Sequence, residues 1–495
     1  MLEEYRREYT DFNNQFMREY YLFLSGQKSE LELTRIYERY SDLFTADAIS
    51  RLKQLLDTSS PDFETLRASI NHLLQFATDH YLENAAKTLT EEVSRFESRS
   101  SIQWQGREIT FQGAMVAIKT EGDRDLRRDL YKKRAELIAA SNDLRVERIA
   151  KLQGAAQTLG FTSYANLYET LRKKDYSQLA GEVQNLLDKT EIVYVQRLDE
   201  ALRQTLNIRI EDAERVDALY FLNLSGFDRR FPAGELLRVY QDTMAGLGIH
   251  IESQKNVFID DAERPRKSPR AFCAPIRVPE EIKLVIRPVG GQSDYQAMLH
   301  EGGHAQHYAW ASAELSPEFK YTGDYGLTET FAFLFDHLPQ ESAWLAQTLN
   351  FRDSKNYIHS SKLSRLLMTR RYAGKLIYEY ELHSSGDFNK GAKLYAEQQT
   401  NSTKFNTPEV DFLTDMDDSF YSANYLRAWA FEVMLRDYLK TKFDNKWWTS
   451  RRAGNFLKDI WDTGDRFDAD EIASQIGLGA ISFDMLIDEF NRELR

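Results

Sequence analysis

Two histidines and two glutamates in this chain have the types and spacing to do chemistry. His300, Glu301 and His304 form the pattern H-E-x-x-H within residues 298–307, and Glu329 follows 29 residues after His300. On a helix, side chains four residues apart leave one face a turn apart, so both imidazoles reach a single small cation. Glu301 then stands beside them as a carboxylate able to take a proton from water. Two neutral imidazoles leave a Zn²⁺ ion needing a third protein ligand and one open position. Glu329 meets that need, as a lone carboxylate in the apolar run 325–335, where an uncompensated charge is expensive to bury.

A bare H-E-x-x-H also arises by chance in proteins that bind nothing, so the elements around it must be read. Residues 290–296, Gly-Gly-Gln-Ser-Asp-Tyr-Gln, form a helix start with Ser293 as N-cap and Gln296 closing a capping box. The pattern therefore falls inside a helix. Gly302 and Gly303 each cost that helix about 1 kcal/mol relative to alanine, and two in succession point to close approach by a substrate or another backbone. Asp336, seven residues past Glu329 on the same face, is a candidate for orienting an imidazole; its other reading is that it ends the helix. His307 lies off the spacing of the ligand pair and reads as structural, as do His72 and His80.

Proline placement organises the rest. None occurs between Pro61 and Pro232 or between Pro339 and Pro408, and because proline breaks helix interiors, both spans read as helical. Residues 255–330 are the mixed part. There, residues 271–278 and 282–287 read as short strands bounded by Pro279 and Pro288. Phe272, Cys273 and Ala274 lie on the first of these, where an exposed strand edge would hold an extended peptide by main-chain bonding. A small structural hairpin is the alternative. Near the N-terminus, Tyr5, Tyr9, Phe12, Phe16, Tyr20 and Phe23 form the stripe of an amphipathic helix stopped at Gly26. Farther on, residues 124–152 form a second long helical pattern, Gly160 ends it and Ser163 caps the next. Tyr421 and Tyr425 share a helix face, and either pack or offer phenolic donors to a cleft. The expected architecture is mainly α, with a helical N-terminal lobe over 1–205 and a catalytic lobe over 206–495.

Composition excludes several classes. A formal charge of −13 and a pI near 5.4 argue against a nucleic-acid partner, which needs a basic face. No apolar stretch is long enough to span a membrane and residues 1–7 lack the features of a secretory signal, so the expected location is cytoplasmic. Cys273 is the only cysteine, which rules out an internal disulfide and argues against a thiolate metal site.

The run from His300 to His307, with its paired glycines and a histidine three beyond the second ligand, resembles the zinc helix of the M3 peptidases, the thimet oligopeptidase and oligoendopeptidase F family. The 29-residue interval to Glu329 is similar to that family's spacing for its third ligand. Arg270-Ala271-Phe272 is similar to its substrate-edge strand, 152–168 to a helical segment with a Gly-Phe turn, and 420–425 to its tyrosine-rich helix. The likeness covers most of the chain after about residue 110. It implies a two-lobed, mainly helical gluzincin with a deep channel for short peptides, binding one Zn²⁺ through His300, His304 and Glu329. It further implies Glu301 as catalytic carboxylate, with Tyr421 and Tyr425 in the oxyanion-stabilising set. One departure stands out: where the family has a histidine ahead of the tyrosines, residues 414–418 here read Thr-Asp-Met-Asp-Asp. The activity implied is that of an oligoendopeptidase. A peptidyl-dipeptidase or carboxypeptidase on the same scaffold would need a cation, such as Arg370, Arg371 or Arg427, for the substrate carboxylate. A catalytically inactive peptide-binding protein is a third reading.

Overall fold

The helices of this chain follow from its apolar periodicity and its caps. In the computed structural model, which describes residues 2–495, the aromatic stripe at the N-terminus forms the helix Leu2–Leu24 and buries Tyr9 and Phe12. Gly26, at φ +75°, turns the chain out of it. The helix Arg124–Thr158 starts at Asp123, whose carboxylate accepts from the amides of Asp125 and Leu126. Ser163 does the same for Tyr164–Arg172 through the Asn166 amide. No helix among the described residues is long and apolar enough to cross a membrane.

Five short strands interrupt the helices among the described residues. β1 (Ser101–Trp104) and β2 (Arg107–Thr110) form a hairpin inside a span expected to be helical throughout. Absence of proline permits a helix without requiring one. Gln105 and Gly106, both at positive φ, make the tight turn such a hairpin needs, while Ile102 and Trp104 alternate into the core. β3 (Val257–Asp260), β4 (Phe272–Arg277) and β5 (Glu281–Val285) form the second sheet in the order β3-β5-β4. β4 pairs antiparallel with β5, as the two expected strands do. β3, which was not expected, lies parallel on the far side of β5. β4 is therefore an edge strand, which is where Pro275 is tolerated.

The described chain divides into two compact units, each assembled from separated segments. The first comprises Met1–Thr78, Gly226–Ile358 and Arg427–Met485, and the second Asp79–Ser225, His359–Leu426 and Leu486–Arg495. Residues 205 and 206 both lie in the second.

The motif helix, Gln292–Trp310, begins earlier than its capping pattern suggests. Its N-cap is Gly291 at φ +97°, a conformation that favours glycine, and Ser293 lies inside the first turn. The Gln292 amide donates to Asp228 Oδ1 at 3.1 Å, so a carboxylate from a distant segment does the work expected of Ser293. Asp294 accepts from the amides of Val289 and Gly290 at 2.7 and 2.8 Å, fixing the loop that leads in. Against the motif helix packs the helix Tyr325–Asp336, which is buried from Gly326 through Phe335. Behind both, Trp344, Trp447 and Trp461 fill the core of the first unit.

Candidate active site

The two glycines of the motif bring its neighbours close. A Cβ at Gly303 would stand 2.8 Å from Ala332 Cα and from the Phe331 carbonyl oxygen, and one at Gly302 would run into the Tyr240 ring. Gly303 thus lets the backbone of the Tyr325–Asp336 helix approach, and the partner at Gly302 is a side chain. That approach carries Glu329 to the histidines.

Glu329 Oε2 lies 3.3 Å from His300 Nε2 and 3.7 Å from His304 Nε2. Of the described residues, these three form a group of His, Cys, Asp or Glu side chains able to hold a metal ion, with donor atoms all within 4.8 Å of one another. Metal bonds of 2.0–2.1 Å in a tetrahedron put neighbouring donors roughly 3.3–3.4 Å apart. The 3.3 Å separation is of that size and the 3.7 Å one a few tenths of an ångström longer, so the donor set suits a divalent ion held by two imidazoles and a carboxylate.

The far side of each imidazole is engaged. His300 Nδ1 is 3.0 Å from Asp336 Oδ2, and His304 Nδ1 is 2.9 Å from Thr328 Oγ1. Each bond leaves the Nε2 atom turned toward Glu329. Phe333 packs edge-on to His300 with centroids 5.2 Å apart, and Trp429 stacks on Phe333 at 5.0 Å. One helix therefore supplies Thr328, Glu329, Phe333 and Asp336.

Glu301 points to the sheet. The Cys273 amide on β4 donates to Glu301 Oε2 at 2.9 Å, leaving Oε1 as the oxygen free to work. Burial pushes the Glu301 carboxyl up to about 7; Glu329 adds to the rise, while His300 and the Cys273 amide oppose it. Burial also disfavours a charge on His300, yet its bonds to Asp336 and Glu329 hold it well above the usual imidazole value. His304 goes the other way, pushed down to about 4 by burial against the pull of Glu329.

The outward edge of β4 is poor in donors. The Cys273 N–H is occupied by Glu301, and Pro275, which faces the same way, has none. Phe272 and Cys273 are half-buried and Ala274 is buried. His307 is buried apart from the cluster, with Nε2 3.3 Å from the Gly464 carbonyl oxygen. His72 and His80 also lie outside it, bonded to backbone carbonyls and to Glu83 respectively. Tyr421 and Tyr425 belong to the second unit. There their half-buried rings meet edge-on at 5.1 Å, and Tyr425 meets Tyr372 at 5.0 Å.

No protein-family model matches the sequence, and no curated protein matches it. Solved structures do resemble the chain over nearly its whole length. One, described as an oligoendopeptidase F from Bacillus anthracis str. Ames, shares 13% identity over 98% of this chain and 89% of its own, with a TM-score of 0.68. PZ peptidase A, solved with an inhibitor, shares 15% over 98% and 90%, with a TM-score of 0.70. This chain has their fold. A structure described as a peptidase from Chlamydophila abortus agrees, at 14% identity, 100% and 89% coverage and a TM-score of 0.66.

Sequence reading passed over Thr328. Its place directly before a buried carboxylate, itself buried and polar in an apolar helix, was the available sign.

Proposed function

We propose that this chain is a zinc-dependent oligoendopeptidase that hydrolyses bonds within short peptides. The observation that carries this reading is the meeting of His300 Nε2, His304 Nε2 and Glu329 Oε2 beside a Glu301 carboxylate anchored to an edge strand. The peptidase fold supports it, and a buried carboxylate facing two imidazoles is a donor set suited to Zn²⁺.

His300, His304 and Glu329 would hold the ion, which supplies Lewis acidity to the scissile carbonyl and to the attacking water. Glu301 does the proton work. With Oε2 fixed by the Cys273 amide, Oε1 takes the proton of the attacking water and returns it to the leaving amine. A carboxyl near 7 before metal loading is closer to neutral operation than an exposed glutamate. Asp336 holds His300 in the Nδ1–H form, leaving the Nε2 lone pair for the ion. Between Phe272 and Ala274, whose backbone groups turn toward β5, the Cys273 carbonyl offers a bound peptide an acceptor, while its N–H is held by Glu301.

All three arginines named for an exopeptidase are engaged internally, Arg427 with Asp470. Arg370 is buried and donates to the carbonyls of Leu187 and Ser402 and to Thr190, and Arg371 pairs with Asp415. Endopeptidase action is the better-supported mode. An internally quenched peptide blocked at both termini tests it. Cleavage should stop on chelation and return with Zn²⁺, and Glu301→Gln should retain the metal while losing about 10²–10⁴-fold in rate. Cleavage that survives complete metal removal, or requires a free C-terminus, would defeat the reading.

A further inference from the structure

The two imidazoles of the candidate centre are held by unlike partners. His300 has a carboxylate, Asp336, whereas His304 has only the hydroxyl of Thr328. A hydroxyl can accept or donate, so it fixes an imidazole only if its own proton is committed elsewhere. Thr328 has a second hydrogen-bonding neighbour in Tyr308, one turn beyond His304 on the motif helix, so its proton has a place to go while its oxygen serves the ring. Thr328 is buried, 4% exposed, so water does not readily compete for its lone pairs.

Resting on the reading of His304 as a metal ligand, we propose that Thr328 is the positioning residue for that ligand. With His304 Nε2 facing the ion, the ring proton sits on Nδ1 and Thr328 Oγ1, 2.9 Å away, accepts it, its own proton turning to Tyr308. That locks the tautomer in which Nε2 carries the free pair, and fixes the ring plane. Thr328 directly precedes Glu329, so one turn of helix both donates a ligand and sets the angle of another. A second carboxylate in this place would add a negative charge beside Glu329. The neutral hydroxyl orients His304 without that cost.

The test compares Zn²⁺ affinity in the metal-stripped full-length chain by competition with a chromophoric chelator. Thr328→Val keeps the shape and removes the oxygen; Thr328→Ser keeps the oxygen and removes the methyl. Valine should weaken Zn²⁺ binding by about tenfold, the lower end of the loss for partners that orient a ligand, and serine should stay within about threefold of wild type. Equal affinity in wild type and Thr328→Val would overturn the proposal, as would a serine variant as weak as the valine one. Should the valine variant fail to fold, Thr328→Ser against Thr328→Ala makes the same comparison, because those two differ only by the oxygen. A wild-type chain that binds no stoichiometric Zn²⁺ would instead bring down the functional reading on which this rests.

Discussion

Asp415 of the second unit and Glu329 of the first are carboxylates buried against opposite kinds of partner. In the second, Asp415 lies between Arg371 and Arg215 and accepts from Tyr395 at 2.7 Å. Asp217 is likewise matched to Arg124 and Arg127 at 2.8 and 3.0 Å. Burial alone would raise the Asp415 carboxyl, but Arg371 and Arg215 overcome it and hold the group well below its usual range. In the first unit, Glu329 is 3% exposed and faces two imidazoles, groups whose charge is not permanent. A charge balanced by arginine is finished structure, whereas one balanced by imidazole can exchange a proton for a metal ion. The difference separates a carboxylate that holds the fold from one that holds a ligand.

Substituting each carboxylate by its amide tests that contrast, and the largest effect is expected at Glu329. Glu329→Gln should weaken Zn²⁺ binding by more than about 10²-fold, beyond the loss for an orienting partner. The metal-free protein should stay folded, since His300 keeps Asp336 as a partner for its charge. Chelator competition and thermal unfolding of the stripped chain measure both. Asp415→Asn should do the reverse. Arg215 keeps Asp411, but leaving Arg371 without its carboxylate costs about 3–5 kcal/mol, read from denaturant unfolding, while the folded fraction keeps its metal. A variant at 415 that loses metal, or one at 329 that only unfolds, would erase the distinction.

The smallest effect is in acid. Asp415 and Asp217 have folded values below their unfolded one, which is about 3.9. The stability they add is therefore fully present above that pH and lost as pH falls through the folded values. Wild type should lose more stability than Asp415→Asn between about pH 4 and 2, followed by circular dichroism. Parallel curves would show that Asp415 is not balanced as described.

The same contrast explains what could be read from sequence. The nearness of His300 and His304 is local, a property of spacing four on a helix. Glu329 arrives by tertiary packing, and the sequence pointed to it only because a carboxylate in an apolar helix needs an explanation. The close approach at Gly303 was legible from the cost of glycine pairs, although which backbone would approach was not. β4 and β5 announced themselves as short stretches bounded by Pro279 and Pro288. β3 is four residues long and parallel, and so has no adjoining turn to mark it. The Gln105-Gly106 turn was there to be seen, but a rule based on proline absence hid it. Ser293 lost its cap to Asp228, more than sixty residues earlier, and no local pattern reports such a contact. For the same reason the two discontinuous units were not legible: their segments are joined by contacts that the order of residues does not display.

Anomalous diffraction from crystals grown with Zn²⁺, recorded on both sides of the zinc edge, is the most direct test of the central claim. One strong difference peak at bonding distance from His300 Nε2, His304 Nε2 and a Glu329 carboxylate oxygen is the predicted result. A peak on other residues, or none there at full Zn²⁺ loading, would contradict it.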